Sequence, residues 1–220
     1  MSRKERIVIF GAGLHAKVVL DTLKRLKRYA VVGILDDSNS LKGATRWGVK
    51  VLGGRDQFAL LQAKRIRRMF VAVGDNRQRQ AVSEEAVKAG FEHVSVVHPS
   101  AVVGGGVTIG LGTLLAAGAV VNVDTVVGES VIVNTGATVD HDCRIGAYAH
   151  ISPGAHLAGS VTVGDLTHIG MGAVVLPNLT VGRACVVGAG AVVLEDVPDG
   201  AVVAGNPARP IQGSERSHGG

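Results

Sequence analysis

Aromatic side chains are scarce in this chain: one tryptophan, two tyrosines and four phenylalanines make up 3% of its 220 residues. Proteins that track nucleic acids combine basic patches with aromatic rings on which bases stack. That combination is missing, so the formal charge of +5 does not point to a nucleic-acid partner. Lysine and arginine gather in the N-terminal part and are interleaved with acids there, a distribution better suited to a phosphorylated small ligand. Cysteine is nearly as rare. Cys143 and Cys185 cannot form a disulfide framework and read as small core fillers in a reducing compartment. Long apolar runs are also missing: no stretch of membrane-spanning length is free of Gly, Asp or Arg, which argues against a transmembrane helix. Met-Ser-Arg-Lys-Glu-Arg leads directly into a short apolar strand, not the long apolar segment of a secretory signal. A cytoplasmic, soluble protein without a membrane partner is expected.

What is abundant is order of period six. From Val97 to Val193 an aliphatic residue stands at every sixth position, seventeen times without interruption. Four positions after all but one of these, the residue is small or β-branched, as at Ala119, Thr125, Val131, Ala137, Cys143 and Ala149. A six-residue period fits neither an α-helix nor an alternating strand. It fits a parallel β-helix in which each hexad supplies one short strand and one corner, and three hexads close a triangular coil. Residues 18 apart then stack vertically, about 4.8 Å from coil to coil. Glycine is dense here, as corners with positive φ require. The period breaks at Asp199-Gly200 and ends at Gly205-Asn206-Pro207-Ala208-Arg209-Pro210. The last coil leaves a strand edge that calls for a cap or a partner.

Residues 1–96 follow a different pattern. Arg6–Phe10, Tyr29–Leu35 and Arg68–Val73 read as strands; Leu14–Arg28, Gln57–Ile66 and Arg77–Ala89 read as helices; Val94–Val97 leads into the coils. Strands alternating with helices imply a parallel sheet with covered faces, here a half-Rossmann-like α/β domain. The expected organisation is an α/β domain over 1–96, coils over 97–211 and a disordered polar tail over 212–220.

Two constellations carry chemistry. Gly11-Ala12-Gly13-Leu14-His15-Ala16 follows a strand and opens a helix, the context in which G-x-G-x-x-A cradles a phosphate on backbone N–H groups. Asp36 and Asp37 end the second strand, and Gly74-Asp75-Asn76 ends the third, so both segments meet the same crevice. The bland alternative is a tight turn without a ligand. Within the coils lie His141, His150, His156 and His168. His141 differs from a solvated surface histidine because Asp142 follows it and Gly159 stacks one coil above it. A carboxylate fixes the imidazole tautomer, and an open glycine N–H receives an oxyanion, which together suit acyl transfer. His150 and His168 share an edge one coil apart. A zinc site shared between subunits is the competing reading, and it needs three or four converging ligands.

The hexad array, the stretch Asn134-Thr135-Gly136-Ala137-Thr138-Val139-Asp140-His141-Asp142 and the closing Ala204-Gly205-Asn206-Pro207-Ala208-Arg209 resemble the hexapeptide-repeat acyltransferases. With the Gly-Ala-Gly-Leu-His-Ala domain in front, the chain resembles the nucleotide-sugar N-acetyltransferases of bacterial glycan and O-antigen biosynthesis. That resemblance implies a left-handed β-helix, a homotrimer, acetyl-CoA between neighbouring subunits, no metal, and a nucleotide-linked 4-amino-4,6-dideoxy sugar on the N-terminal domain. GDP-perosamine is the favoured substrate; UDP-linked 4-amino sugars and O-acetylation of the sialic acid type are alternatives, with a trimeric zinc lyase or a non-catalytic scaffold further off. It also implies His141 as general base, Asp142 as its partner and Gly159 as oxyanion donor. His150, His168, Gly188, Gly205, Asn206, Pro207 and Arg209 would face the cofactor. Gly11, Gly13, His15, Asp36, Asp37, Gly74, Asp75 and Asn76 would face the sugar nucleotide. Relatives often carry Glu where this chain has Asp142. Both cysteines are expected to face inward, which favours direct attack over an acyl-enzyme.

Overall fold

A computed structural model describes residues 4–211; the tail expected over 212–220 lies outside the described residues. The N-terminal unit is a six-stranded sheet of order β3-β4-β2-β1-β5-β6. Its strands are β1 (Glu5–Phe10), β2 (Tyr29–Leu35), β3 (Thr45–Arg46), β4 (Val49–Gly53), β5 (Arg68–Val71) and β6 (Glu92–His93). All pairings are parallel except the β3–β4 hairpin. Helix α1 (Leu14–Leu26) buries the stripe Ala16, Val19, Leu20 and Leu23, the i, i+3, i+4, i+7 spacing of one helical face. Helix α2 (Phe58–Ala63) is shorter than the sequence suggests because Gln57 belongs to a 3₁₀ turn over Arg55–Gln57 and the chain leaves the helix before Arg65, which is left-handed at φ 57°. Helix α3 (Asn76–Lys88) is capped by the Asp75 carboxylate, which accepts from the Gln78 N–H.

From β7 (Val96–Val97) to β23 (Val192–Val193), two-residue strands recur every six residues and stack in parallel register 18 apart. They form the three faces of a left-handed β-helix. Face one carries the strands at 96, 114, 132, 150, 168 and 186; face two those at 102, 120, 138, 156, 174 and 192; face three those at 108, 126, 144, 162 and 180. The aliphatic column from Leu115 to Val193 is at most 3% exposed. Val103, in the lowest coil, is 41% exposed, because no coil stacks beneath it. The upper edge is closed by β24 (Val202–Ala204), which continues face one and turns back antiparallel into β25 (Arg209–Pro210). Cys143 and Cys185 are free and buried. Burial raises both thiol pKa values, which keeps them protonated and unreactive.

Corners take positive φ every sixth residue, but glycine is not what unifies them. The corner from face one to face two is all glycine: 118, 136, 154, 172 and 190. The corner from face two to face three holds Gly106, Asp124, Asp142, Ser160 and Asn178, and that from face three to face one Gly112, Ser130, Tyr148, Leu166 and Ala184. Many remaining glycines serve close approach instead. A Cβ at Gly146 would lie 2.5 Å from the Asp165 nitrogen one coil above.

The two units share one core. Ile7, Ile9, Val19 and Leu23 pack in the same cluster as Val96, Leu114, Ala116 and Ile132 of face one. The N-terminal unit therefore sits on face one, and the corner bearing Asp142 lies on the opposite side of the triangular body.

Candidate active site

His141 stands at the corner between faces two and three. Its Nδ1 is 2.8 Å from Asp142 Oδ2, so the aspartate reaches the ring despite being shorter than glutamate. Asp142 holds a left-handed backbone, φ 58°, which folds its carboxylate back beside the preceding side chain. The His141 N–H donates to Asp140 Oδ1 at 2.8 Å, and Asn122 Nδ2 donates to the same oxygen at 2.9 Å. The ring is half exposed. Its pKa is raised above 6.5, chiefly by the hydrogen bond to Asp142, with Asp140 adding to it. With the Nδ1 proton directed at Asp142, Nε2 of the neutral ring carries the free lone pair.

Gly159 lies against that ring. A Cβ there would sit 2.5 Å from His141 Cε1 and 2.6 Å from Nε2, so only glycine fits. One and two coils below, the equivalent N–H groups are taken by the preceding side chain: Asp140 caps His141, and Asn122 caps Val123 at 3.1 Å. Ala158 precedes Gly159 and has no such group. Among the described residues the Gly159 N–H makes no hydrogen bond. A base with a free lone pair and an unclaimed backbone donor thus adjoin on an exposed corner.

His156 lies on face two, and His150 and His168 belong to the opposite side. His150, on face one, is 9% exposed. Its Nε2 meets Asn134 Nδ2 at 3.1 Å, and its ring makes an edge contact with His168 at 4.9 Å between centroids. Its Nδ1 is buried without a hydrogen bond, although the Gly74 backbone is close. Burial, then the charges of His168, Arg79 and His15, push its pKa down to about 3. His168 Nε2 meets Ser152 Oγ at 3.1 Å. Within one chain, His150 and His168 therefore join the contact between the two units and do not lie beside His141. Gly188 is dictated by packing, since a Cβ would lie 2.7 Å from Ala204 Cβ. Gly205, the cis peptide Asn206–Pro207 and Arg209 form the exposed upper cap, where Arg209 pairs loosely with Glu195 at 3.9 Å.

In the N-terminal crevice, Gly11 has φ +106° and no room for a side chain: a Cβ would lie 2.8 Å from the Ala72 carbonyl oxygen. Gly13 caps α1 through its backbone alone. His15 Nε2 is buried without a partner, and burial, with Arg79 nearby, lowers its pKa to about 4. Three of the expected ligand groups are already engaged within the chain. Asp36 is not a free acid, because its oxygens accept from the Ala12 N–H at 2.8 Å and the Ser38 N–H at 2.9 Å. The carboxylate takes one of the turn's donors, leaving fewer for a phosphate. Asp75 is a helix cap. Asn76 turns away from the crevice, and its amide nitrogen donates to the Leu166 and Thr167 carbonyls of the β-helix. Asp37 is exposed and pairs with Arg55 at 3.2 Å.

Sequence reasoning missed Arg79. It is 1% exposed and donates to the carbonyls of Val73, Gly74, Ser130, Tyr148 and Ala149. The signal was present: Arg79 falls on the buried stripe Val82, Ser83 and Ala86 of its helix. Burial pulls its pKa down to about 10. Among the described residues, no group of three or more His, Cys, Asp or Glu side chains is placed to hold a metal ion, and no helix is long and apolar enough to cross a membrane.

Stacked hexads with a His–carboxylate pair on one corner have the equipment that acyl transfer needs. Residues 6–86 match the PglD N-terminal domain, and residues 124–159 and 160–195 match the bacterial transferase hexapeptide (six repeats). PerB from Caulobacter crescentus, solved with CoA and GDP-perosamine, is 42% identical over 93% of this chain and 96% of its own, with a TM-score of 0.89. Structures of perosamine N-acetyltransferase from that organism with asparagine or alanine replacing a histidine give TM-scores of 0.90 at 41% identity, again over 93% and 96% of the two chains. The acetyltransferase domain of PglB from Neisseria gonorrhoeae, solved with acetyl coenzyme A, is 40% identical over 95% of this chain and 100% of its own, with a TM-score of 0.86. No curated protein sequence matches the chain. The chain belongs to the acetyl-CoA-dependent N-acetyltransferases that join a PglD-type N-terminal domain to a hexapeptide-repeat β-helix.

Proposed function

We propose that this protein transfers the acetyl group of acetyl-CoA to the amine of a nucleotide-linked 4-amino-4,6-dideoxy sugar, with GDP-perosamine as substrate. The observation that carries this reading is the corner itself: His141 bonded to Asp142 at 2.8 Å and packed on Gly159. The neutral sugar amine attacks the thioester carbonyl. His141 Nε2 takes the amine proton, Asp142 holds the ring and stabilises the imidazolium, and the Gly159 N–H receives the oxyanion. The tetrahedral intermediate collapses with loss of CoA as thiolate or thiol. No acyl-enzyme is needed, because both cysteines are buried and protonated, and kinetics should be sequential.

The choice of guanosine diphosphate rests on the ligand named for the Caulobacter relative. The active unit is a homotrimer, and geometry supports this. The N-terminal unit covers face one while His141 projects from the opposite corner, so a sugar nucleotide held by one chain meets a histidine of its neighbour. Face two also presents Val102, Val120, Val174 and Val192 outward around a Thr138–His156 hydrogen bond of 2.9 Å, an apolar column suited to burial by a second subunit. Its cysteines are free thiols, which fits the cytoplasm.

Thiol release from acetyl-CoA, measured with GDP-perosamine and with a UDP-linked 4-amino sugar, tests the assignment. Release with the GDP sugar, reduced by roughly 10²–10⁴ in kcat/KM in His141→Asn, is the expected result. Release with the UDP sugar alone would overturn the substrate, and an active His141→Asn would overturn the base.

A further inference from the structure

Successive coils of this body are nearly alike. Every 18 residues the same strands, corners and small buried residues return, so face one offers the N-terminal unit similar seats about 4.8 Å apart. The two-residue link between β6 and β7 holds the unit near the lowest coils, and a further contact must fix its height within that reach. The apolar contact through Val96, Leu114 and Ile132 is a column of similar aliphatics and discriminates poorly between seats.

The first turn of α3 reaches across the boundary. Arg79 Nε donates to the Ser130 carbonyl at 2.8 Å, and Nη2 donates to the Tyr148 carbonyl at 2.7 Å. Asn76 Nδ2 donates to the Leu166 carbonyl at 2.8 Å, and Asn76 Oδ1 accepts from Arg79 Nη2 at 2.8 Å. Ser130, Tyr148 and Leu166 are three successive corners in one column, all left-handed and none glycine. Tyr148 is itself fixed by its hydroxyl donating to Glu129 at 3.1 Å. The other end of Arg79 grips the crevice, since Nη1 donates to the Val73 and Gly74 carbonyls at 3.0 Å. One buried guanidinium therefore ties the end of β5, where the nucleotide crevice opens, to the two successive corners at Ser130 and Tyr148 that bracket His141 in the chain, and Asn76 adds the third at Leu166.

We infer that Arg79, seated by Asn76, is a positioning residue for acetyl transfer: it sets the height of the nucleotide-binding unit along the β-helix, and so the height of the sugar amine relative to His141. This rests on the acyl-transfer reading above. In a trimer whose axis runs along the coils, rotation carries one subunit onto the next without changing height. The setting in one chain therefore fixes the amine against the neighbour's His141. A shift well short of one coil already exceeds what the chemistry tolerates, as misplacement by about 1 Å costs roughly a hundredfold in rate.

The test compares Arg79→Met and Arg79→Lys with the wild-type full chain. Calorimetry reads binding of GDP and of CoA separately, and steady-state kinetics read kcat and KM. Spin labels at Lys64→Cys and Glu195→Cys, both exposed, report the distance between the two units; the native thiols are buried. Arg79→Met should bind GDP and CoA within about threefold of wild type, lose about a hundredfold in kcat, and broaden the label distances. Arg79→Lys, with its charge but fewer donors, should recover part of kcat and narrow the distances again. A purely structural role would remove both binding activities together with kcat, and that result overturns the proposal. Normal kcat with unchanged distances in Arg79→Met overturns it too. If the wild-type chain transfers no acetyl group, the acyl-transfer reading fails, and with it the role in transfer; the distances still report separately whether Arg79 sets the seat.

Discussion

Replacing Gly159 by alanine isolates the geometry of the base from the rest of the protein. The added Cβ would start 2.5 Å from His141 Cε1 and 2.6 Å from Nε2. Carbon–carbon contact is comfortable at about 3.5–4.0 Å, so the ring must retreat by about 1 Å. That movement opens the 2.8 Å bond to Asp142 and takes Nε2 off the line of the amine proton. A displacement of this size costs roughly 10² in rate, or about 2.7 kcal/mol of transition-state stabilisation. The fold should not notice, because Gly159 is outside the left-handed region and the ring it displaces is half exposed. Alanine also keeps the backbone N–H, so the oxyanion donor survives. The thiol-release assay and a thermal melt on the same sample read both sides. We expect kcat/KM to fall about a hundredfold with the melting temperature nearly unchanged. Activity within threefold of wild type would refute the stacked arrangement of base and glycine.

Three further outcomes are expected. Because the His141 pKa is raised chiefly by Asp142 and the base acts when neutral, kcat/KM should rise with pH through a value above 6.5. Asp142→Asn should move that limb to lower pH and cost less than His141→Asn, whereas an unmoved limb contradicts the pairing. His150 is held neutral by burial, its pKa lowered from 6.5 to about 3. Its contribution to stability is thus complete above pH 6.5 and is lost as pH falls towards 3. Melting temperatures followed between pH 7 and 4 should decline less steeply in His150→Gln; equal slopes would show that this group is not responsible. Ala184 holds φ 53° at a corner, a conformation that costs a residue with a Cβ about 1–2 kcal/mol. Ala184→Gly should therefore raise the unfolding free energy in urea by about 1 kcal/mol, and a loss of stability would argue against strain at that corner.

Much of the fold was legible because a β-helix turns sequence period directly into neighbourhood. The aliphatic at every sixth position became a core column, and spacing of 18 placed Gly159 above His141 before any coordinates were needed. The same rule located Cys143 and Cys185 inside. Legibility weakened wherever one residue type serves two purposes. Glycine in the coils was read as a mark of positive φ, yet Asp142, Tyr148 and Leu166 take that conformation while Gly146 and Gly188 exist for close approach. Likewise the engagement of Asp36, just after β2, by the Ala12 N–H has no sequence signature.

The sequence by itself determined the coils, their stacking, the meeting of His141 with Asp142 and Gly159 and the presence of a glycine turn at the start of α1. These follow from local period and from contacts at fixed separation. The tertiary structure alone decided how the two units meet. It placed His150 beneath the N-terminal unit and away from His141, made Asp75 a cap, and turned Asn76 and Arg79 into links to the β-helix. Those links end on backbone carbonyls, which every residue carries. The order of the side chains therefore holds no record of which carbonyl an arginine will find.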